Sequence, residues 1–306
     1  MTAALIFEQI LNGLQFGLTL FLMAAGLTLV FGVMGLINLA HGSLYMVGAF
    51  CCAWITQQTG SFWLGLGGGV LGAAAAGALI EMLVIRRLYD RDHLDQVLAT
   101  FALILIFSEG TRMVFGSMPL YLNIPEALSG TVALPGVEAY PIYRLFIILA
   151  ALAVAVLLYL LISKTRLGMR IRAGESDREM IAALGVDIKT LYTIVFALGA
   201  AIAGLSGTLV GALRSVQVGM GEPVLILAFV VIVIGGIGSI KGALIGSILI
   251  GLVDTLGRIF LPIILKVFME NASANSIGAA LSSMLIYLMM AGILAVKPKG
   301  LFNAAN

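Results

Sequence analysis

The sequence predicts an all-α fold, a polytopic transmembrane helical bundle of about eight to ten spans with broken or re-entrant helices and an inverted repeat. Three observations predict it. Of the 306 residues, 61% are hydrophobic and 10% charged, whereas a water-soluble domain carries about 25% charged residues, so this composition requires lipid as its solvent. Several apolar runs reach the ~20 residues that a helix needs to cross a bilayer. The 37 glycines suit helices whose backbones touch, because small residues allow close approach inside a membrane.

Apolar runs between polar breaks give nine segments, near 8–32, 41–56, 62–85, 96–115, 142–163, 190–213, 224–240, 241–257 and 277–296. No basic n-region or small-residue cleavage site surrounds the first, so it is expected to be retained as a span. Cys51 and Cys52 are adjacent within an apolar run and read as small apolar fillers rather than a disulfide. The run 65–78 and the spacings Gly207-x-x-x-Gly211 and Gly242-x-x-x-Gly246 are helix-packing faces. Glu81 near Arg86, and Glu109 three residues before Arg112, read as end-of-helix charges. The polar stretches 116–141 and 164–189 are each too short for a core of their own, so one transmembrane domain covers 1–306.

Orientation follows from the basic residues. The loop 164–189 holds Lys164, Arg166, Arg170, Arg172, Arg178 and Lys189, whereas 116–141 holds no Lys or Arg. The positive-inside bias puts the first in the cytoplasm and the second outside. Carried through nine crossings, it places Arg86, Arg87, Arg91, Lys241, Lys297 and Lys299 inside as well, so 12 of the 17 basic residues are cytoplasmic. The N-terminus then lies outside and the C-terminus inside.

Two pairs of segments are divided by glycine-rich breaks rather than loops. The first, Gly35-Leu36-Ile37-Asn38-Leu39-Ala40-His41-Gly42-Ser43, puts Asn38 and His41 at membrane depth, where polar groups need partners or line a cavity. Metal binding is not expected, since the other histidine, His93, falls in a different loop. Two readings of Asn38 and His41 remain open: holding the broken backbone, or contact with a transported molecule. The second break, Gly235-Gly236-Ile237-Gly238-Ser239-Ile240-Lys241-Gly242, has the same character. Paired interruptions in two halves suggest a path, lined by Asn38, His41, Gly42, Gly235, Gly236, Gly238 and Ser239. The second break is not a phosphate loop, because Lys241 follows Ile and no Ser or Thr comes after it. Asp254, with Arg258 one turn later, reads as an ion pair at the membrane surface, or alternatively as a proton-relay carboxylate.

In the cytoplasmic loop, Ser176-Asp177-Arg178-Glu179 has the form of a capping box with Ser176 as N-cap and Glu179 reaching back. Gly185 supplies a stop, leaving two turns of helix with Met180, Ile181 and Leu184 on one side. A helix this short is marginal alone in water, so its apolar side is expected in a partner's groove or on its own membrane domain.

The residues resemble the permeases of branched-chain amino acid ABC importers, of the LivH type. The likeness lies in Asn12-Gly13, Ala25-Gly26-Leu27-Thr28-Leu29-Val30-Phe31-Gly32, Ile37-Asn38-Leu39-Ala40-His41-Gly42, Ala99-Thr100-Phe101 and Phe115-Gly116. It continues through Thr165-Arg166-Leu167-Gly168, Ile171-Arg172-Ala173, Asp177, Gly185, the second break and Lys297-Pro298-Lys299-Gly300-Leu301-Phe302. The resemblance implies a multi-pass subunit of the bacterial inner membrane, with no cofactor and no catalytic residues. Its implied partners are a LivM-type second permease, two ABC ATPase subunits, a periplasmic substrate-binding protein and membrane lipid, with no nucleic acid. The loop then looks like the segment that inserts a short helix into the ATPase, through Ser176, Asp177, Glu179, Met180, Ile181, Leu184 and Gly185. Ser43 stands where an acidic residue is common, and Ile181 where a small Ala is usual. Implied substrates are branched-chain or other small neutral amino acids, with urea, short amides and simple sugars as alternatives within the same superfamily. An ion-coupled secondary transporter working through Asp254 is the rival from another class. A membrane enzyme lacks clustered His, Ser or carboxylates.

Overall fold

A computed structural model describes residues 3–302 of the chain. The described helices are α1 (Ala3–Met34), α2 (His41–Thr59), α3 (Phe62–Leu83), α4 (His93–Phe115), α5 (Ile142–Lys164), α6 (Arg166–Ser176), α7 (Arg178–Ala183), α8 (Ile188–Gly211), α9 (Gly221–Gly235), α10 (Ile240–Leu265) and α11 (Asn271–Val296). Each of the nine expected apolar segments carries a helix, although in 224–240 that helix runs only as far as Gly235. Among the described residues, seven helices are long and apolar enough to cross a membrane, namely α1, α3, α4, α5, α8, α10 and α11. The helix α9 is shorter and still apolar. The polytopic helical bundle is therefore observed.

The helices start where short polar side chains accept the first free amides. Ser61 Oγ accepts from the Leu64 N–H for α3, Thr165 Oγ1 from Gly168 for α6, Asp187 from Lys189 for α8, and Ser239 Oγ from Gly242 for α10. A β-hairpin was not expected: β1 (Thr131–Leu134) and β2 (Val137–Pro141) pair antiparallel inside 116–141. The Pro135-Gly136 turn, with Gly136 at φ 87°, is the signal that could have found it.

The chain divides into two compact units. The larger comprises Leu22–Pro125 and Ala153–Leu227. Within it α2, α3 and α8 pack on one another through small residues. A Cβ on Gly48 would lie 2.7 Å from the Gly204 carbonyl oxygen, and one on Gly69 would lie 2.6 Å from that of Gly48. Only glycine permits these approaches, so the runs read as packing faces do pack. The same device joins α1 to α8, where a Cβ on Gly199 would lie 2.8 Å from the Gly26 oxygen. Phe50 and Phe115 meet at 5.1 Å between centroids, over a cluster that includes Met46, Leu122 and Val216. Leu120 and Val216 exchange backbone hydrogen bonds of 2.8 Å, which ties two loops together.

The other unit comprises Met1–Phe21, Glu126–Leu152 and Ala228–Asn306. Here the beginning of α1 lies on α10, with Gly13 against Gly251 and Gly17 against Ser247. The helices α10 and α11 pack closely, Gly278 accommodating Pro262 inside α10. Asn12 Oδ1 accepts from Arg144 at the start of α5 and, at 3.3 Å, from the buried Tyr140 hydroxyl.

Candidate functional site

The loop 164–189 folds into two helices rather than one. The helix α6 was not expected; it is amphipathic, with Ile171 buried and most of its charged side chains in solvent. Ser176 is its last residue, and this corrects the capping box. A residue with helical backbone cannot also be the N-cap of the next helix, which needs an extended conformation. That position is Asp177, at φ −154° and ψ 99°, whose Oδ1 accepts from the Glu179 and Met180 amides at 3.0 and 2.9 Å. Glu179 is exposed. The stop at Gly185 is as expected. With φ 87°, Gly185 donates to the Ala182 oxygen at 3.0 Å and Val186 donates to Ile181 at 3.2 Å, a Schellman motif.

The apolar side of α7 is divided by this folding. Ile181 is turned inward at 6% exposure, while Met180 and Leu184 are 60% and 76% exposed. The unusual Ile181 is thus buried by its own chain, in a helix that packs on α6 and α8. The side chains offered outward are Met180 and Leu184. Beyond α7, Asp187 accepts from the Thr190 hydroxyl at 2.5 Å, and this bond holds its carboxyl below the usual carboxylate range.

At the first break, α1 ends at Met34 and α2 begins at His41. Asn38 is fully buried, and its Oδ1 accepts from the Ala40 amide at 3.0 Å, so the side chain replaces a lost helical acceptor. His41 is also fully buried, its Nε2 lying 3.0 Å from where a Cβ on Gly26 would stand. Gly42 abuts Gly221 at the start of α9. Among the described residues, Asn38 Nδ2, both ring nitrogens of His41 and Thr28 Oγ1 have no hydrogen-bond partner. The turn-holding reading of Asn38 is seen directly; His41 has no such engagement.

The second break is a tight turn between α9 and α10, which meet at Gly235 and Gly242. Gly236 and Gly238 have φ of 103° and 82°. A segment that sequence reasoning did not connect to this turn completes it. The Leu301 amide donates to the Ile234 oxygen at 2.8 Å, and the Phe302 amide to the Gly235 oxygen at 3.0 Å. A Cβ at Gly236 would overlap the Phe302 carbonyl. The carbonyls left over at the end of α9 are thus satisfied by backbone from 297–302.

Asp254 is 6% exposed, and both of its oxygens accept from Arg258 Nε, at 3.0 and 2.9 Å. The ion-pair reading describes this geometry. Glu109 and Arg112 form an exposed pair at 2.6 Å. Glu81 is more than an end-of-helix charge: it is fully buried and bonded to Arg86, Tyr89 and Thr193. The pairing with Arg86 was legible from spacing, whereas Thr193 is distant in sequence and carried no signal.

A family model described as the permease component of the branched-chain amino acid transport system matches residues 9–294. The chain belongs to this family. The permease is 28% identical over 272 residues to the high-affinity branched-chain amino acid permease protein LivH of Salmonella typhimurium, covering 83% of this chain and 86% of that one. It is 30% identical over 265 residues to BraD of Pseudomonas aeruginosa, covering 82% and 85%. A more distant similarity, 28% over 254 residues, reaches LivM of Escherichia coli, covering 75% of this chain and 59% of LivM. Its relatives are transport subunits, and the permease is a membrane transport component rather than an enzyme.

Proposed function

We propose that this chain is the permease subunit of an ATP-binding cassette importer for branched-chain or other small neutral amino acids. It works in the bacterial inner membrane beside a LivM-type second permease, two ABC ATPase subunits and a periplasmic binding protein. Family membership over residues 9–294 is the observation that carries this reading. The similarity to both LivH and LivM supports a pair of related permeases. The N-terminus lies outside and the C-terminus in the cytoplasm, a reading supported by the basic loop 164–189 and the Lys/Arg-free 116–141.

Within this reading, α7 docks on the ATPase through Met180 and Leu184. Asp177 and Gly185 fix its two ends, Ser176 and Glu179 flank the cap, and Ile181 anchors it to its own subunit. The outward pair on a rigidly capped helix supports this, since a short helix offers a groove little unless its ends are held. Asn38, His41 and Gly42 border the substrate route, supported by unpaired polar atoms at Asn38 Nδ2 and on the His41 ring. For Gly235, Gly236, Gly238 and Ser239 we propose a fixed turn rather than contact with substrate, because the backbone of Gly235, Gly236 and Ser239 is already hydrogen-bonded and Gly238 holds a positive φ.

The test is co-purification and uptake in proteoliposomes holding all partners. Leu184→Asp and Met180→Asp should abolish ATPase association while the permease still inserts. His41→Leu should leave the complex assembled and lower uptake at least ten-fold. ATPase association that survives both α7 changes would remove the docking assignment. Uptake driven by a proton gradient in this chain alone would overturn the importer reading.

A further inference from the structure

Glu81 stands at the end of α3 and is fully buried. Arg86 donates to its two oxygens from Nε and Nη2, at 3.2 and 3.0 Å. The Tyr89 hydroxyl donates at 2.5 Å and the Thr193 hydroxyl at 2.6 Å, while Thr193 itself accepts from Arg86 Nη2 at 2.8 Å. Tyr89 also stacks edge-on against Tyr192 at 5.1 Å. One carboxylate thereby joins the end of α3, the segment 85–91 and the first turns of α8.

A buried ion pair adds little net stability compared with apolar packing of the same volume. The helices α3 and α8 are in any case already joined through Gly77 against Ala200 and Ala73 against Gly204. What a fully satisfied polar network adds is a unique geometry. The place where it acts is specific. Thr193 lies five residues into α8, about 7.5 Å along the axis at 1.5 Å per residue. The helix α8 follows α7 after the Gly185 stop, and α7 packs on it.

We infer that Glu81 is a positioning residue for energy coupling: it clamps the beginning of α8 to α3, so that displacement of α7 by the ATPase travels along α8. Without the clamp, the first turns of α8 yield and ATP hydrolysis proceeds without transport. This inference rests on the importer reading above.

The test uses the complete complex in proteoliposomes and reads substrate transported per ATP hydrolysed. Glu81→Gln keeps the shape and removes the charge; the ratio should fall at least five-fold while the ATPase still co-purifies. Thr193→Val should lower the ratio about three-fold, and Thr193→Ser, which keeps the hydroxyl, should restore it. Should Glu81→Gln fail to fold, Thr193→Val and Tyr89→Phe decide, both being expected to uncouple. Unchanged ratios in Glu81→Gln and Thr193→Val, or a Thr193→Ser variant as uncoupled as the Val variant, would overturn the clamp. A wild-type complex with no ATP-driven uptake would instead overturn the importer reading, and the clamp with it.

Discussion

The two glycine-punctuated breaks look alike in sequence and are held in different ways. At 35–40 the interruption is supported from within, the Asn38 side chain taking the Ala40 amide at 3.0 Å. At 236–239 it is supported from a distant segment, backbone amides of Leu301 and Phe302 reaching the Ile234 and Gly235 carbonyls. Inside a membrane every freed backbone group has to find a partner, because water is not there to supply one. The first solution leaves polar side-chain atoms on Asn38 and His41 without a partner among the described residues. The second engages the Ile234 and Gly235 carbonyls and the Ser239 hydroxyl in the turn. Similar glycine content therefore does not imply similar function.

The largest effect should come from filling the second break. Gly236→Val meets both the Phe302 carbonyl and a φ of 103°, and should cost about 3 kcal/mol or more, read as loss of folded protein by thermal unfolding in detergent. Next, ending the chain at Gly300 removes the donors to two buried carbonyls, which should cost about 2–3 kcal/mol. Unfolding measured by the same method checks it, and an unchanged melting temperature would break the contrast between the two breaks. Asn38→Leu should cost about 1–2 kcal/mol through the unsatisfied Ala40 amide. The smallest loss belongs to Ser239→Ala, which removes one cap acceptor at 3.0 Å and should cost about 1 kcal/mol. As a control, Gly110→Ala enters open space on α4 and should be neutral or stabilising by about 0.5 kcal/mol.

Local chemistry was legible at several places where the partner lay within one helical turn. The Gly185 stop, the pairing of Asp254 with Arg258 and that of Glu109 with Arg112 were all readable from spacing. The N-cap of α7 was misplaced by one residue because Ser176 and Asp177 are both good caps. Only the continuation of α6 through Ser176 decides between them. That continuation was hidden, since Gly168 and Gly174 disfavour a helix by about 1 kcal/mol each, a penalty offset by packing against the end of α5 and Leu191. The division of the α7 face was equally hidden. Whether Ile181 or Met180 turns inward depends on what α6 and α8 cover, and periodicity does not carry that information.

By itself the sequence determined which solvent the chain folds in, and with it the nine apolar helices and the two places where they break. The cost of exposing a charge or a free amide to lipid is large enough to be written into composition at every span. Tertiary structure alone decided which groups meet: Thr193 with Glu81, and Leu301 and Phe302 with the end of α9. The physical reason is reach. A hydrogen bond acts over about 3 Å, so residues far apart in the chain become partners only after packing has brought their helices together.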